Sequence, residues 1–534
     1  MKKLFNILAL SAVVLSVSCD MDKKPQNAID PKDAFNSVST IEALELGAYA
    51  RLKDNYGISN TIVADIQADY VNAISGFSNT YGDNYYWTFQ RNNDVVTDVW
   101  QTCYLSINQC NFILAGIAEA IADDRLGFDA DTQRRLELVK GRCYLIRALS
   151  YSTLAERFCA AYDKATASKE FSGVPWIDEY DPDKKPGRAT LEEIYGHIKQ
   201  DIAEAKSRLQ SQPGSANAIF LNRDCVTALE ARVALQTGDY KTAYDAATSL
   251  TGSSAYALVA DAKALRDMWV YDRSDEIIFK FAASKTEIPT AFGTPMYMDQ
   301  QSGTNDSGSN SGAPKHAWQP DFVPTQEVID LFDAADWRFG VYFKNTGKMS
   351  EREYALAGSR AVPGGYTMVS KFSGNPDYRT TDAWNYANTW KVFRLAEMYL
   401  IAAEAAAMDN SVGDAAAPLN ALRKQRGLAE LSTVGLKEVK EERRRELLME
   451  GFRLTDLKRW GDEMKRGESQ FVAFYRVDYI SNQYVLDKED FLSVEVARDL
   501  NVTADDYRFV WPIPEDEIFA NQVLQSQQNP GWER

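Results

Sequence analysis

The chain is poor in the residues that much enzyme chemistry requires. Histidine occurs only at His197 and His316 among 534 residues, so a histidine-based metal site or a Ser-His-Asp triad has little to draw on. The six cysteines include no C-x-x-C pair, and the sequence contains neither a G-x-S-x-G motif nor a phosphate-cradling glycine loop. We therefore expect no cofactor and no metal ion.

Positive charge is also in deficit. The sequence has 59 Lys and Arg against 76 Asp and Glu, which gives a net charge of −17. A chain this acidic repels phosphate backbones, so we expect no nucleic acid partner. Its apolar fraction of 45% supports a large buried core and argues against wholesale disorder.

Long hydrophobic runs are missing beyond the N-terminus. The run Leu4–Val17, 14 mostly apolar residues after a basic start, is too short to span a bilayer but has the length of a signal-peptide core. We interpret residues 1–18 as a signal peptide, Cys19 as a lipidation site in a lipobox, and residues 19–35 as the lipidated cysteine with its tether. Ser16 stands where a lipobox usually has leucine, and an ordinary secretory signal with an incidental cysteine is the alternative.

Five cysteines remain once Cys19 is set aside. Cys103, Cys110 and Cys143 fall on apolar helical stripes, so we expect them to be small core residues. A disulfide stays possible, because a secreted protein occupies an oxidising compartment.

Residues 36–285 are predicted to be mainly helical. From Asp94 onward, apolar residues recur every three or four positions, which predicts a long helix with one apolar face. A second helix is predicted from about 132 to 158, and a third over Leu191–Leu209 after an N-cap at Thr190.

Two segments share the order helix, tight Gly-Asp turn, helix. One turns at Gly238-Asp239 and the other at Gly413-Asp414, and small residues flank both turns. This pattern is typical of a tetratricopeptide unit, although two unrelated helical hairpins would look similar.

Residues 286–390 have a different composition. They are rich in Gly, Ser, Asn and Pro and carry most of the isolated aromatic residues, which predicts an irregular, loop-rich lobe. Helices are predicted to resume in residues 391–534, which end in a tail of loops and short strands.

Several short sequence stretches identify a protein family more specifically than the composition does. They are Gly141–Tyr151, Gly173–Pro175, Arg394–Ala405, Glu442–Leu447, Glu450–Arg453, Asp456–Leu457, Arg459–Gly461, Pro512–Pro514 and Gln528–Trp532. In this order the set resembles the SusD/RagB family. The resemblance implies a mostly α fold: a tetratricopeptide-like helical-pair array with an irregular lobe inserted and few short strands.

The resemblance also implies a function without catalysis. Members of this family are outer-membrane lipoproteins at the cell surface, where they cover a TonB-dependent transporter of the SusC type. We therefore expect a glycan-binding lipoprotein that captures an oligo- or polysaccharide and delivers it to such a SusC-like partner. A peptide-binding protein of the RagB kind is the alternative.

Clusters of charge could suggest either catalysis or internal ion pairs. We expect the Arg443–Arg445 run and Glu446 to pair with one another and with Arg394 and Glu397, and we expect these groups to be buried. The acidic residues on either side of Pro182 are expected in a solvated loop and not at a calcium ion.

Aromatic residues give the sharpest functional signal. Tyr85, Tyr86 and Trp87 crowd a Gly-Asp-Asn loop, with Asp69 and Arg91 nearby in sequence. The C–H face of a sugar ring packs on an aromatic plane, and its hydroxyls need polar partners, so these five residues are candidate ligand contacts.

Three further candidates lie in the predicted lobe at positions that, in glycan-binding relatives, carry stacking residues: Tyr297, Trp318 and Trp384. We expect Trp87 to approach Trp318 and Trp384 on one exposed face, because a glycan presents successive rings. A lipoprotein glycosidase, or a scaffold that binds only protein, is the remaining alternative.

Overall fold

The computed structural model describes ten stretches of the chain. They are residues 34–127, 129–296, 299–301, 316–346, 353–357, 360–362, 364–380, 385–478, 483–491 and 500–533. The protein is 49% helix and 8% strand, which confirms the mostly α class. The predicted signal peptide and Cys19 lie outside the described residues.

Nine helices are described before residue 275. They are α1 (Val38–Asn55), α2 (Ile62–Gln67), α3 (Gly82–Tyr85), α4 (Asp94–Ala122), α5 (Ala130–Phe158), α6 (Leu191–Leu209), α7 (Arg223–Gln236), α8 (Tyr240–Thr251) and α9 (Ala262–Val270). The three predicted long helices are α4, α5 and α6. Thr190 and Glu193 form the capping box that begins α6, so the predicted N-cap is confirmed.

Seven helices are described after residue 325. They are α10 (Gln326–Asp330), α11 (Trp337–Tyr342), α12 (Leu395–Met408), α13 (Ala416–Lys424), α14 (Leu436–Glu446), α15 (Arg453–Trp460) and α16 (Glu515–Ala520). Short 3₁₀ turns occur at Pro376–Tyr378, Tyr507–Phe509 and Gln522–Ser526.

The long helices pack side by side as an array. Helix α4 lies between α1 and α5, and contacts continue in order through α6, α7, α8 and α12 to α13 and α14. By length and composition α4 would pass for a membrane span, but its apolar side packs inside this array, as the core helix of a globular protein does.

Both predicted Gly-Asp turns exist and lie against each other's helices. Gly238 has φ +71°, and the Asp239 side chain caps α8 by accepting from the Thr242 amide. At the second turn, a Cβ on Gly413 would come within 2.2 Å of the Tyr244 ring of α8, so any other residue would have to displace that ring. The helical-pair interpretation is confirmed at this contact between neighbouring units.

Strands are short and mostly paired two by two. They are β1 (Val71–Ala73), β2 (Ile277–Lys280), β3 (Asp299–Gln301), β4 (His316–Trp318), β5 (Phe322–Pro324), β6 (Phe343–Asn345), β7 (Glu353–Ala357), β8 (Arg360–Ala361), β9 (Thr367–Val369), β10 (Lys391–Arg394), β11 (Met464–Lys465), β12 (Phe471–Asp478), β13 (Gln483–Phe491) and β14 (Asn501–Val502). One sheet has the order β3-β4-β7-β8, with β4 and β7 parallel. The antiparallel pairs are β1 with β5, β2 with β10, β6 with β9, β11 with β14, and β12 with β13. Strands β3 to β9 all fall within residues 286–390, and the proposed boundaries of that lobe stay a prediction.

The cysteines beyond Cys19 are core residues. Cys103, Cys110, Cys143, Cys159 and Cys225 are buried with free thiols. The expectation for the three stripe cysteines is therefore confirmed.

An ion-paired core joins the C-terminal helices to the rest of the chain. It consists of Glu276, Arg338, Arg394, Arg426, Glu442, Glu446 and Glu450. Glu446 is fully buried and accepts hydrogen bonds from Arg338 and Arg394 at 3.0 Å and from Arg426 at 2.8 Å. Burial alone would raise the pKa of Glu446, but Arg426, Arg394 and Arg338 outweigh it and hold that pKa well below its usual value.

A second set of pairs connects α12, α14 and α15. Arg443 binds Asp456 at 3.0 Å, and the Arg459 guanidinium binds Glu404 at 3.0 Å. Glu397 is buried and paired with Arg232 of α7 at 2.7 Å. The prediction that the charges of these motifs pair internally is therefore confirmed.

Candidate functional site

Four chain segments, one of which contains α3 and another β5, meet next to β1. They are residues 74–88, 291–296, 318–324 and 385–388, and we call their meeting place the segment junction. Most of the predicted aromatic contacts lie in these segments or next to them in sequence. Tyr297 directly follows the second segment, and Trp384 directly precedes the fourth.

Backbone hydrogen bonds hold the segments together. The amide of Ile74 donates to the Asp321 carbonyl at 3.0 Å, and the Asp321 amide donates to the Pro295 carbonyl at 2.9 Å. The Gly293 amide donates to the Tyr386 carbonyl at 3.3 Å. Segments far apart in sequence are thereby fixed relative to one another, as a preformed binding site requires.

Residues 74–88 adopt a strained loop. Four non-glycine residues have positive φ: Ser78 (56°), Asn79 (59°), Tyr81 (50°) and Trp87 (59°). Such backbone is unfavourable for residues with a Cβ and persists only where packing enforces it. Here the enforcing contacts are the edge-to-face rings of Phe77 with Tyr85, Tyr86 and Phe322, whose centroids are 5.9 to 6.2 Å apart.

Half-buried aromatic and polar groups remain at the surface of the junction. They are Thr80, Tyr81, Tyr86, Asp321 and Tyr386. Burial raises the pKa of Asp321 to about 6, and the nearby Thr80 side chain opposes this shift. The Thr80 hydroxyl itself donates to the Phe77 carbonyl at 3.0 Å. Burial and the nearby Asp321 carboxylate both raise the pKa of Tyr81. A desolvated carboxylate beside tyrosine rings suits a ligand that offers hydroxyl groups and flat apolar faces.

Two of the predicted loop residues are turned inward. The Trp87 side chain is fully buried, and its indole Nε1 donates to the Gln67 carbonyl at 2.7 Å. Tyr85 is also fully buried and donates to Asn72 Oδ1 at 3.3 Å, under the Arg466 guanidinium. The expectation that Trp87 belongs to an exposed stacking face is therefore wrong, because its indole is bonded to the Gln67 backbone and its ring packs edge-on against the buried Phe509.

Trp318 is buried as well. Its ring packs with Ile74, Val323 and Met368 in a cluster separate from that of Trp87, and Lys344 Nζ lies 3.9 Å from its ring centroid. The structure therefore does not bring Trp87 and Trp318 together on one exposed face. Tyr297 and Trp384 lie outside the described residues, and their role stays a prediction.

Asp69 serves the fold and not an open surface. Its side chain accepts from Arg453 at 2.7 and 2.8 Å and pairs with Arg444 at 3.3 Å. Burial would raise the pKa of Asp69, but the two guanidinium groups outweigh it and hold that pKa below its usual value. With 4% of its surface exposed, Asp69 cannot direct a ligand, which corrects the expectation.

The side chains of Tyr86 and Arg91 are partly exposed to solvent. Tyr86 packs edge-on against Tyr85 at 5.0 Å and leaves the rest of its ring accessible. Arg91 is half-buried, and its Nη2 lies 3.3 Å from Glu515 Oε1, which ties this loop to α16. Ligand contact by either residue stays a prediction.

The residues that sequence reasoning missed are Thr80 and Asp321. Asp321 follows the Trp318-Gln319-Pro320 stretch, where proline and a polar residue between two short strands indicate a tight turn. That turn signal could have identified Asp321, since turns present polar side chains next to strand ends. Nothing local indicates that Thr80 lies against it.

Within the described stretches, no three His, Cys, Asp or Glu side chains are grouped as a metal site. The acidic loop around Pro182 is exposed, and Glu179 pairs there with Lys184. This agrees with a solvated loop.

Two family models match this chain. A model described as SusD family matches residues 275–532, and one described as starch-binding associating with outer membrane matches residues 21–235. The chain belongs to the SusD/RagB family.

Individual relatives agree with this placement. A SusD-like protein of Formosa agariphila is 24% identical over 499 residues, which cover 86% of this chain and 92% of that protein. A SusD superfamily protein from Bacteroides thetaiotaomicron superposes with a TM-score of 0.70 at 24% identity, over 92% of this chain and 100% of its own. A SusD-like carbohydrate binding protein from Bacteroides vulgatus gives a TM-score of 0.66 at 19% identity, over 92% of this chain and 98% of its own. These likenesses show that the fold is shared.

Proposed function

We propose that this protein binds an oligo- or polysaccharide at the segment junction and delivers it to a TonB-dependent transporter of the SusC type. The observation that carries the proposal is the junction itself. Tyr81 offers a partly exposed ring near the half-buried Asp321 carboxylate, and Tyr86 offers a second partly exposed ring in the same loop. Backbone hydrogen bonds fix the segments that carry these groups. The family description, which names starch binding and the outer membrane, supports the same function.

The loop strain favours a site that exists before the ligand arrives. Because packing already fixes the positive φ values around Tyr81, little conformational freedom is lost when a glycan binds. Stacking on one ring gives too little affinity to offset the loss of ligand motion, so several contacts along the ligand are needed. Tyr386, and the chain neighbours Tyr297 and Trp384, are our candidates for the further contacts.

A binding screen tests the proposal. The chain without residues 1–19 is titrated with neutral and acidic oligosaccharides and with peptides of mixed sequence. We expect glycan binding in the millimolar to micromolar range and no peptide binding. Retention of peptides alone would overturn the proposal in favour of the RagB-like alternative.

Binding is proposed to occur without chemistry on the glycan. Most buried carboxylates of the described residues are committed to ion pairs, as Glu446 is with its three arginines. The buried Asp65 carboxylate instead accepts hydrogen bonds from the Gly451 and Arg453 amides. Release of reducing ends from a polysaccharide panel by the purified protein would revive the glycosidase alternative.

The anchor is proposed to be lipid on Cys19. Several acyl chains hold a protein at a membrane stably, whereas one chain holds only marginally. Cys19→Ala should therefore move the protein from the membrane fraction to the soluble fraction, or leave it unprocessed. An unchanged distribution in membrane fractionation would show that the lipobox interpretation is wrong.

The proposed transporter partner is tested by gentle purification. We expect a large barrel protein to co-purify with the intact lipoprotein from membranes solubilised in mild detergent. Recovery of the lipoprotein alone under conditions that keep other outer-membrane complexes together would contradict this partnership.

A further inference from the structure

A carboxylate without an ion pair lies at the surface of the segment junction. Asp321 is half-buried, yet it pairs with no Lys or Arg in the described stretches of the chain. The half-buried Asp506 shows the more usual arrangement, since Arg508 binds its carboxylate at 2.6 Å. A partly desolvated charge that lacks a partner within the chain is unfavourable, and a ligand can supply that partner.

Backbone hydrogen bonds hold Asp321 in this position. Its amide donates to the Pro295 carbonyl at 2.9 Å, and its carbonyl accepts from the Ile74 amide at 3.0 Å. The residue lies in the turn between β4 and β5, and part of its side chain contacts solvent. A ligand at the junction therefore reaches this carboxylate without passing through buried residues.

A second carboxylate lies near the same part of the junction. Burial raises the pKa of Tyr81, the Asp321 and Asp98 carboxylates raise it further, and no described cation lowers it. Asp98 is exposed on α4 and is likewise without an ion pair to any residue that the structure describes. The Tyr81 side chain thus lies in a negative potential.

Two cations near the junction are already engaged. Arg91 pairs with Glu515 at 3.3 Å. Arg466 opposes the upward pKa shift of Tyr86, but its side chain is 1% exposed and donates to backbone carbonyls, among them that of Tyr85 at 2.7 Å. Arg466 is therefore inside the protein, whereas the carboxylates near Tyr81 are at its surface.

The negative potential near Tyr81 determines which ligand groups are favoured there. An ammonium group binds a carboxylate through charge-assisted hydrogen bonds, in which both groups are charged, and these are stronger than bonds from a neutral hydroxyl. A cation is also attracted to the face of an aromatic ring. A uronate or sulfate group at the same position would meet like charge, which opposes binding.

We infer that Asp321 makes the segment junction selective by ligand charge: a glycan unit with a free amino group binds in preference to a neutral unit, and a neutral unit in preference to an acidic one. The inference rests on the proposed glycan-binding function and narrows its substrate class. Asp321 is the specificity-determining residue, and Asp98 adds to the same negative potential from α4.

Calorimetric titration of the full-length protein in mild detergent tests the inference. The probes are β-1,4-linked hexasaccharides of glucosamine, glucose and glucuronate, which share a backbone and differ in charge. We expect the affinity to fall about tenfold at each step from the glucosamine probe to the glucose probe to the glucuronate probe. Added salt should reduce the differences, because it screens charge.

One substitution assigns the selectivity to Asp321. Asp321→Asn keeps the shape of the side chain and removes its charge, so the ratio of the glucosamine affinity to the glucose affinity should fall below about threefold. Asp245→Asn makes the same change in net charge on α8, outside the four segments, and should leave that ratio unchanged. Circular dichroism checks that both variants are folded.

The outcomes separate charge selectivity from glycan binding itself. Equal affinity for the three probes, tightest binding of the glucuronate probe, or an unchanged ratio in Asp321→Asn would overturn the selectivity. Failure of all three probes to bind would also overturn it, and the proposed function would still stand if another glycan binds in the screen. Binding of peptides with no glycan bound would overturn both.

Discussion

The pKa of a carboxyl group is shifted in opposite directions in the ion-paired core and at the segment junction. In the core, Glu446 is fully buried against three guanidinium groups, which hold its pKa well below the usual value. At the junction, burial raises the pKa of Asp321 to about 6, and the side chain of Thr80 is the group that opposes this shift. The Glu446 charge stabilises the fold and has its partners within the chain. Asp321 is instead a partly desolvated hydrogen-bond acceptor at the surface of the junction, and groups with shifted pKa values of this kind are typical of binding sites.

The aromatic residues of the 74–88 segment also divide into a buried group and a partly exposed group. Trp87 and Tyr85 have buried polar atoms bonded to Gln67 and Asn72, so they serve the loop's own structure. Tyr81 and Tyr86, one to six positions away, keep part of their rings exposed. We expect the inner residues to determine stability and the outer ones to determine binding.

The largest effect is expected in the ion-paired core. Glu446→Ala leaves the guanidinium groups of Arg338, Arg394 and Arg426 buried without this partner, which should lower the free energy of unfolding by about 3–5 kcal/mol. Urea unfolding followed by circular dichroism measures it. The matched control is Glu441→Ala on the same helix, where the side chain is only half-buried and the loss should stay below about 1 kcal/mol. Equal losses of unfolding free energy in the two variants would show that burial and ion pairing do not make Glu446 more important than Glu441.

Acid should weaken the same core. Burial opposes ionisation of Glu442, but Arg338 and Arg445 outweigh it and lower its pKa to about 2. Because the folded pKa lies below the unfolded one, this carboxylate stabilises the protein fully above about pH 4.5, by on the order of 3 kcal/mol, and the contribution fades as pH falls toward 2.

This pH dependence can be assigned with one substitution. Glu442→Gln should be less stable than the wild type at pH 7, and the difference should shrink steadily below pH 4.5. A difference that is the same at pH 7 and pH 3 would mean that ionised Glu442 does not stabilise the core.

A smaller loss of stability is expected for Trp87→Phe. The substitution keeps an aromatic ring but removes the shorter of two hydrogen bonds to the Gln67 carbonyl, which still accepts from Arg466 at 3.3 Å. We therefore expect a cost of about 0.5–1.5 kcal/mol. Thermal unfolding and glycan titration of the same sample separate the two roles. If the variant unfolds at the wild-type temperature but has lost glycan affinity, Trp87 contributes to binding and not to stability.

The sequence was informative where residues recur at helical spacing. The pairing of Arg394, Glu397 and Glu446 followed from the family resemblance and from the apolar residues that surround these charges in the sequence. Helices α4, α5 and α6 followed from apolar periodicity and caps in the same way.

The loop residues could not be assigned in this way, because their partners are remote. Asp69 binds Arg453 across 384 positions, and no local pattern reveals this contact. Trp87 has a positive φ that propensity does not predict for tryptophan, and its indole bonds to the Gln67 carbonyl, 20 positions away. The predicted loop aromatics lie in or next to the segments of the junction, but composition did not show which of their side chains face out.

The central claim is that the outward groups of the junction bind the glycan. The most direct measurement is titration of the glycan found in the screen against the wild type, Tyr81→Ala, Tyr86→Ala and Asp321→Asn, with Tyr180→Ala as control. Tyr180 is 44% exposed but packs on Phe112 of the helical array, away from the four segments. Each junction variant should bind about tenfold more weakly, with an unfolding free energy within about 1 kcal/mol of the wild type, and Tyr180→Ala should bind normally. Unchanged affinity in all three junction variants would contradict the account.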